Sequence, residues 1–342
     1  MKSLHLVGSG HFALIESDCP VSAPDEVLIK VSHVGICGTD IHILEGKMGD
    51  RIKLPIILGH EISGTIVSDI SHQGIFSRGQ RVIVKPMNGC GDCVACAEGL
   101  TNQCRSREIV GVDRPGGLSE YISVPANCAY ALPDDVDLLT GCLVEPCCVA
   151  YHALRRSLSA APDAKTVLII GAGFIGTMIG FLALLSGVRR IFISEVLPSR
   201  SRAAKRYFRE VLDGTNSASF LQEISRKTDS GGVDVVFETS GAEDAASQMV
   251  SACKIGGVVT QVGFHESPPR IDMWQVVRKE LTVMGSYSAN HTDYTAVIDL
   301  VGKGKILPRE LVSNVIALKD MQKAVPLLLD RDKYLKNVVA VE

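Results

Sequence analysis

Val167-Leu168-Ile169-Ile170-Gly171-Ala172-Gly173-Phe174-Ile175-Gly176 is the stretch on which the fold turns. Four aliphatic residues in a row suit a strand buried on both faces, and a G-x-G-x-x-G turn opening an apolar helix suits the first crossover of a doubly wound parallel sheet. Gly171 permits the tight turn, Gly173 lets backbone N–H groups approach a pyrophosphate, and Gly176 lets the helix lie close on the sheet. The helix N-terminus adds positive potential. The next strand, 191–195, ends on Glu195, placed to accept hydrogen bonds from both hydroxyls of an adenosine ribose and to repel a 2'-phosphate. NAD is therefore expected ahead of NADP. Arg200 complicates that preference, because it can either stack on adenine or neutralise a 2'-phosphate.

Residues 166–188 carry no charge, and the run is longer than the ~20 residues a membrane span needs. The break at Gly171-Ala172-Gly173 and the apolar run 191–193 resolve it instead into strand, turn, helix and strand, so no membrane is expected. From 166 onward strands over 167–170, 191–195, 233–238 and 258–262 alternate with helices over 174–186, 200–210, 219–227 and 244–253. Before about residue 150 the pattern is mainly β, with short strands such as 26–34, 64–67 and 81–84 between Gly, Pro and Asp turns. After 281–285, helices over 292–303 and 319–330 precede a closing apolar run, 337–341.

With 342 residues the chain exceeds one ordinary core. A net charge of -3 gives no general attraction to nucleic acid or anionic membrane. Eleven cysteines without a basic, apolar leader at the start point to a reducing cytoplasm, with thiolates kept for metal.

Cys90, Cys93 and Cys96, followed after seven residues by Cys104, can close around one tetrahedral ion as a structural zinc lobe spanning 88–105. A ferredoxin run would bring its fourth cysteine after three residues with a proline behind it, which this lobe lacks. A second ligand set is Cys37 and His60 with a carboxylate from Glu61 or Glu145. Three protein ligands leave one position open, as catalysis requires.

The segments around Cys37-Gly-Thr39-Asp-Ile-His42, Gly-His60-Glu61, the 90–104 lobe, Glu145-Pro146, the 171–176 turn and Arg278-Lys-Glu280 occur in one order. In that order the chain resembles the zinc-dependent medium-chain dehydrogenases/reductases, across nearly its whole length. It looks closest to the polyol branch, with sorbitol and galactitol-phosphate enzymes, and almost as close to threonine 3-dehydrogenases. The resemblance implies an α/β protein with a GroES-like β-rich catalytic domain, 1–149 with 287–342, and a Rossmann domain, 150–286. It implies two zinc ions per chain and a homodimer or homotetramer. Cys37 and His60 would bind the catalytic zinc, with Glu61 a ligand or near-ligand and Glu145 holding the metal or its water. Thr39 would sit beside the metal, and His42 would pass the proton to solvent. Ile175, Glu195 and Arg200 match cofactor contacts, and Val262 at the end of the 258–262 strand joins them.

The activity implied is hydride transfer between the secondary alcohol of a polyol, sugar or sugar acid and NAD. Threonine-type amino-alcohol oxidation is the alternative, and a non-catalytic cofactor sensor on the same scaffold is the rival outside enzymes. Sorbitol and threonine dehydrogenases carry an arginine shortly after the last Rossmann strand, whereas here Gly285 is followed by Ser286-Tyr287-Ser288-Ala289-Asn290-His291. The usual Gly-Ala before the third strand is also absent around Tyr207 to Val211. Arg114 is a candidate for meeting a substrate phosphate or carboxylate, with surface solvation as its ordinary role.

Overall fold

The structure is a computed structural model that describes residues 1–67, 76–229 and 231–341. The chain forms two compact units, Met1–Cys148 with Asn290–Glu342, and Val149–Ala289.

The second unit is a six-stranded parallel sheet. In chain order its strands are Thr166–Ile170, Arg190–Glu195, Glu210–Asp213, Val233–Glu238, Cys253–Gln261 and Thr282–Gly285, and their spatial order is 3-2-1-4-5-6. That is the doubly wound dinucleotide-binding order. Val167, Leu168 and Ile169 in the first, central strand are fully buried, which accounts for the uncharged run around them without a membrane. No helix among the described residues is long and apolar enough to cross a bilayer.

One helix differs from expectation. The segment 200–210 is a shorter helix, Pro198–Ala204, followed by the third strand, Glu210–Asp213. Phe208 explains the early stop: its ring stacks on Phe181 at 5.3 Å, and it fills the space a Cβ on Gly180 would occupy, 2.6 Å from Phe208 Cζ. Tertiary packing thus outweighs local helical periodicity. Helices without a sequence signal are also present, among them Val144–Ala160 and Met273–Arg278. Pro146 stands in the first turn of the former, where a missing N–H costs nothing.

In the first unit a seven-stranded sheet runs in the order Ala129–Ala131, Arg81–Val84, Glu61–Ile66, Glu26–Gly35, Lys336–Ala340, Val312–Ala317, and Tyr121–Pro125 also pairs with Glu26–Gly35. The C-terminal strand therefore joins Glu26–Gly35: Val338 lies opposite Gly35. Gly35 in turn lies opposite Glu61. This register gathers the residues of the candidate metal site.

Candidate functional site

Cys37 follows the Glu26–Gly35 strand and caps the helix Gly38–Leu44, while His60 and Glu61 stand at the start of the Glu61–Ile66 strand. Ligand atoms of Cys37, His60 and Glu61 all lie within 4.8 Å of one another. One sulfur, one imidazole and one carboxylate at that separation fit a single zinc ion. His60 and Glu61 are buried and Cys37 is half-buried.

Asp40 has no sequence signal to set it apart, yet it organises this triplet. Its carboxylate accepts hydrogen bonds from the backbone N–H of Cys37 at 2.8 Å and of Gly59 at 3.3 Å, and lies 3.6 Å from His60 Nδ1. With Nδ1 directed to the carboxylate, Nε2 is the nitrogen left for a metal, the usual carboxylate–histidine–metal order. Against the penalty of burial, Asp40 and the Cys37 sulfur pull the His60 pKa well above its ordinary value. The pocket favours positive charge at the imidazole, from a proton or from a metal.

Glu145 sits in the first turn of Val144–Ala160, buried, and is not part of the triplet. Burial pushes its carboxyl up to about 7, with His60 pulling down and Glu61 pushing up, so it is electrostatically in contact with the site. Glu61 instead meets Lys336, another residue without a sequence signal. Lys336 Nζ lies 2.6 Å from Glu61 Oε1 and 2.5 Å from Oε2, with both side chains buried. Thr39 Oγ1 lies 3.9 Å from Cys37 Sγ, and His42 is half-buried later in the same short helix. Arg114 is engaged within its own unit. It is paired with Glu26 at 2.6 Å and donates to the Ser123 carbonyl, a partly buried structural bridge.

The four thiols of Cys90, Cys93, Cys96 and Cys104 also converge within 4.8 Å. Their lobe has almost no core of its own: its helix, Val94–Ala97, buries no residue, and Val94 is 75% exposed. The backbone N–H of Cys90 reaches Cys104 Sγ at 3.3 Å and draws that thiol down to about 7. A closed four-sulfur shell holds this loop together and leaves no position for substrate.

At the nucleotide turn, Gly171 adopts φ +104, and a Cβ on Gly176 would lie 2.0 Å from the Gly171 carbonyl oxygen. Both glycines are sterically required. Gly173 caps the helix Phe174–Leu185 with no side-chain hydrogen bond, which leaves the first N–H groups of the helix without a side-chain cap and able to meet an anion. Within 4 Å of a Cβ on Gly173 only Arg200 Nη1 is met, which puts Arg200 beside the turn. Glu195 Oε2 accepts from Ala172 N at 2.8 Å, and Oε1 from Val196 N and Leu197 N. Ile175 is half-exposed among buried neighbours, and Val262 donates its N–H to the Glu238 carbonyl at the end of the fifth strand. Thr239 braces the turn by donating to the carbonyls of Ile170 and Gly171. This cradle fits a dinucleotide phosphate group.

Residues 23–134 match the family described as Alcohol dehydrogenase GroES-like domain, and 175–303 match Zinc-binding dehydrogenase. A 2-dehydro-3-deoxy-L-galactonate 5-dehydrogenase of Pseudoalteromonas atlantica is 34% identical over 95% of this chain and 94% of its own. The chain belongs to the zinc-containing alcohol dehydrogenase family. A sorbitol dehydrogenase of Halalkalibacterium halodurans is 30% identical over 95% of this chain and 94% of that relative. Among solved structures, an Escherichia coli alcohol dehydrogenase complexed with NADH superposes with a TM-score of 0.90 at 26% identity, covering 100% of this chain and 99% of that one. The chain is accordingly a zinc-binding dehydrogenase acting on CH–OH donors with NAD(P), carrying a four-cysteine cluster and a Cys/His/Glu site.

Proposed function

We propose that this dehydrogenase oxidises a secondary alcohol of a sugar acid or polyol with NAD, giving a ketone, NADH and a proton. The observation that carries this reading is the convergence of Cys37, His60 and Glu61 in a chain 34% identical to a galactonate-series dehydrogenase. A zinc ion held by that triplet would supply Lewis-acid polarisation of the alcohol oxygen, and NAD would accept the hydride. The chain's own work is to bind and orient. Asp40 fixes the His60 ring, Thr39 relays the substrate's hydroxyl proton by passing its own on through the ribose hydroxyls of the cofactor, and His42 hands it to solvent. Glu145, buried beside the triplet, would hold the metal or its water. The helix that starts at Phe174 faces the pyrophosphate, while Glu195 and Arg200 hold the adenosine end, with Ile175 and Val262 as apolar neighbours of the cofactor.

Two zinc ions per chain, one in each ligand set, and a preference for NAD over NADP belong to the same reading. Glu195 supports the preference, since its carboxylate disfavours a 2'-phosphate. NADH formation against a panel of aldonates, hexitols, sugar phosphates and L-threonine tests the substrate class. Turnover highest with an aldonate or hexitol supports it; threonine as the best substrate overturns it.

The assembly proposed is a homo-oligomer in the cytoplasm, in keeping with eleven free cysteines. Thr282–Gly285 is an open sheet edge with Val283 exposed, flanked by a helix that packs Val276 against the core and shows Trp274 at 79% exposure. Such an edge is suited to pairing with its own two-fold copy. Light scattering should give at least a dimer, and Val283→Lys should shift it toward monomer. A monomeric wild-type chain contradicts this part.

A further inference from the structure

Lys336 has no part in the chemistry above, yet it is buried and directed at the third metal donor. It opens the C-terminal strand Lys336–Ala340, and the neighbouring Asn337 carbonyl accepts from Ile36 N at 3.0 Å. Its ammonium touches both oxygens of Glu61 and also donates to the Ile36 carbonyl at 3.0 Å. The same group therefore spans the Glu61 carboxylate and the residue just before Cys37. Space for this arrangement is built into the sheet: a Cβ on Gly35, opposite Glu61, would fall 1.9 Å from Glu61 Oε2. Glycine at 35 and lysine at 336 together make a cradle into which the carboxylate is drawn.

An ammonium has no lone pair and cannot bind a metal itself. It competes with a metal for the lone pairs of Glu61. We propose, on the zinc-dehydrogenase reading above, that Lys336 is a positioning residue that competes for the Glu61 carboxylate, so that Glu61 would give the catalytic metal at most one weakly held oxygen and leave the fourth coordination position to the substrate oxygen. An ordinary supporting partner strengthens its ligand, and its loss weakens metal binding by about 10–100-fold. Lys336 acts with the opposite sign. Without it Glu61 is a lone buried carboxylate whose best remaining partner is the metal.

The test uses the zinc- and cobalt-loaded protein with Lys336→Met, Lys336→Arg, Glu61→Gln and the double variant Lys336→Met/Glu61→Gln. Release of the catalytic metal to a chelator, the visible cobalt bands and kcat are measured together. Lys336→Met should release metal at least about tenfold more slowly, show altered cobalt bands and lose at least about tenfold in kcat, with Lys336→Arg restoring all three. Metal release at the wild-type rate or faster overturns the proposal. If Lys336→Met does not fold, the double variant decides, because it buries no lone charge. Release and kcat equal to those of Glu61→Gln support action through Glu61, and a further change overturns it. Wild-type protein holding zinc only in the four-cysteine lobe would instead sink the parent reading, whatever Lys336 does.

Discussion

Cys37 and His60 contribute two different donor atoms to one point, and replacing either removes the Lewis acid while leaving the glycine turn untouched. Cys37→Ala or His60→Ala should lower kcat at least about a hundredfold, the loss of several kcal/mol that such a metal supplies. NADH binding, followed by cofactor fluorescence, should persist. Activity unchanged in either variant would eliminate the proposed chemistry. Asp40 acts one shell further out: Asp40→Asn keeps the shape but loses charge beside His60 Nδ1, and metal affinity should drop about 10–100-fold in a chelator titration. An unchanged affinity would mean that the 3.6 Å approach is incidental. At the other ligand, Glu195→Ser removes the carboxylate that repels a 2'-phosphate and should narrow the ratio of kcat/KM for NAD over NADP. Cys37, His60 and Glu61 were legible because their types and local spacing carry the chemistry. Asp40 and Lys336 were not, because an aspartate in a first turn reads as a cap and Lys336 lies 275 positions from its partner.

Individual elements carry their own stability. The four-cysteine lobe is a loop with a four-residue helix and a two-stranded ladder, Met87–Asn88 with Glu108–Ile109, too little to hold itself. Cys93→Ser should remove one zinc per chain and lower the melting temperature by several degrees; retention of both would refute a structural role. In the Rossmann sheet, Asp234 ties the fourth strand to the first by accepting from the backbone N–H groups of Lys165 and Thr166, and to the fifth by pairing with Lys254. Although burial opposes it, these partners hold its carboxyl down to about 2, against an ordinary 3.8. A pKa depressed on folding adds stability above the unfolded value, and that stability is lost as pH falls through the folded one. Asp234→Asn should therefore be less stable than wild type near neutrality in urea titrations, with the gap shrinking as pH drops below about 4. A gap independent of pH would assign its role to shape alone. Strand and turn periodicity announced the sheet strands at 167–170 and 191–195, but it ran a helix through to 210, up to the third strand that the family resemblance places around Tyr207 to Val211, because the burial of Phe208 against Gly180 is a contact across the unit rather than a local pattern.

At the scale of the whole molecule, one unit supplies the metal donors and, from the far end of the chain, the lysine that meets Glu61, and the other supplies a 3-2-1-4-5-6 sheet with its glycine turn at the first crossover. The doubly wound class was legible because apolar strands and a G-x-G-x-x-G turn are local signals. The joining of Lys336–Ala340 to Glu26–Gly35 was not, because strand partners far apart in sequence are selected by packing. Its consequence is chemical as well as architectural, since it delivers Lys336 to Glu61. A metal shared by Cys37 and His60 underlies all of this chemistry. Zinc-edge anomalous diffraction from crystals of the protein as purified tests this most directly. It should show a peak about 2.3 Å from Cys37 Sγ and about 2.0–2.1 Å from His60 Nε2, separate from the peak in the four-cysteine lobe. Density in the lobe alone, with Cys37 and His60 sharing no metal, would contradict it.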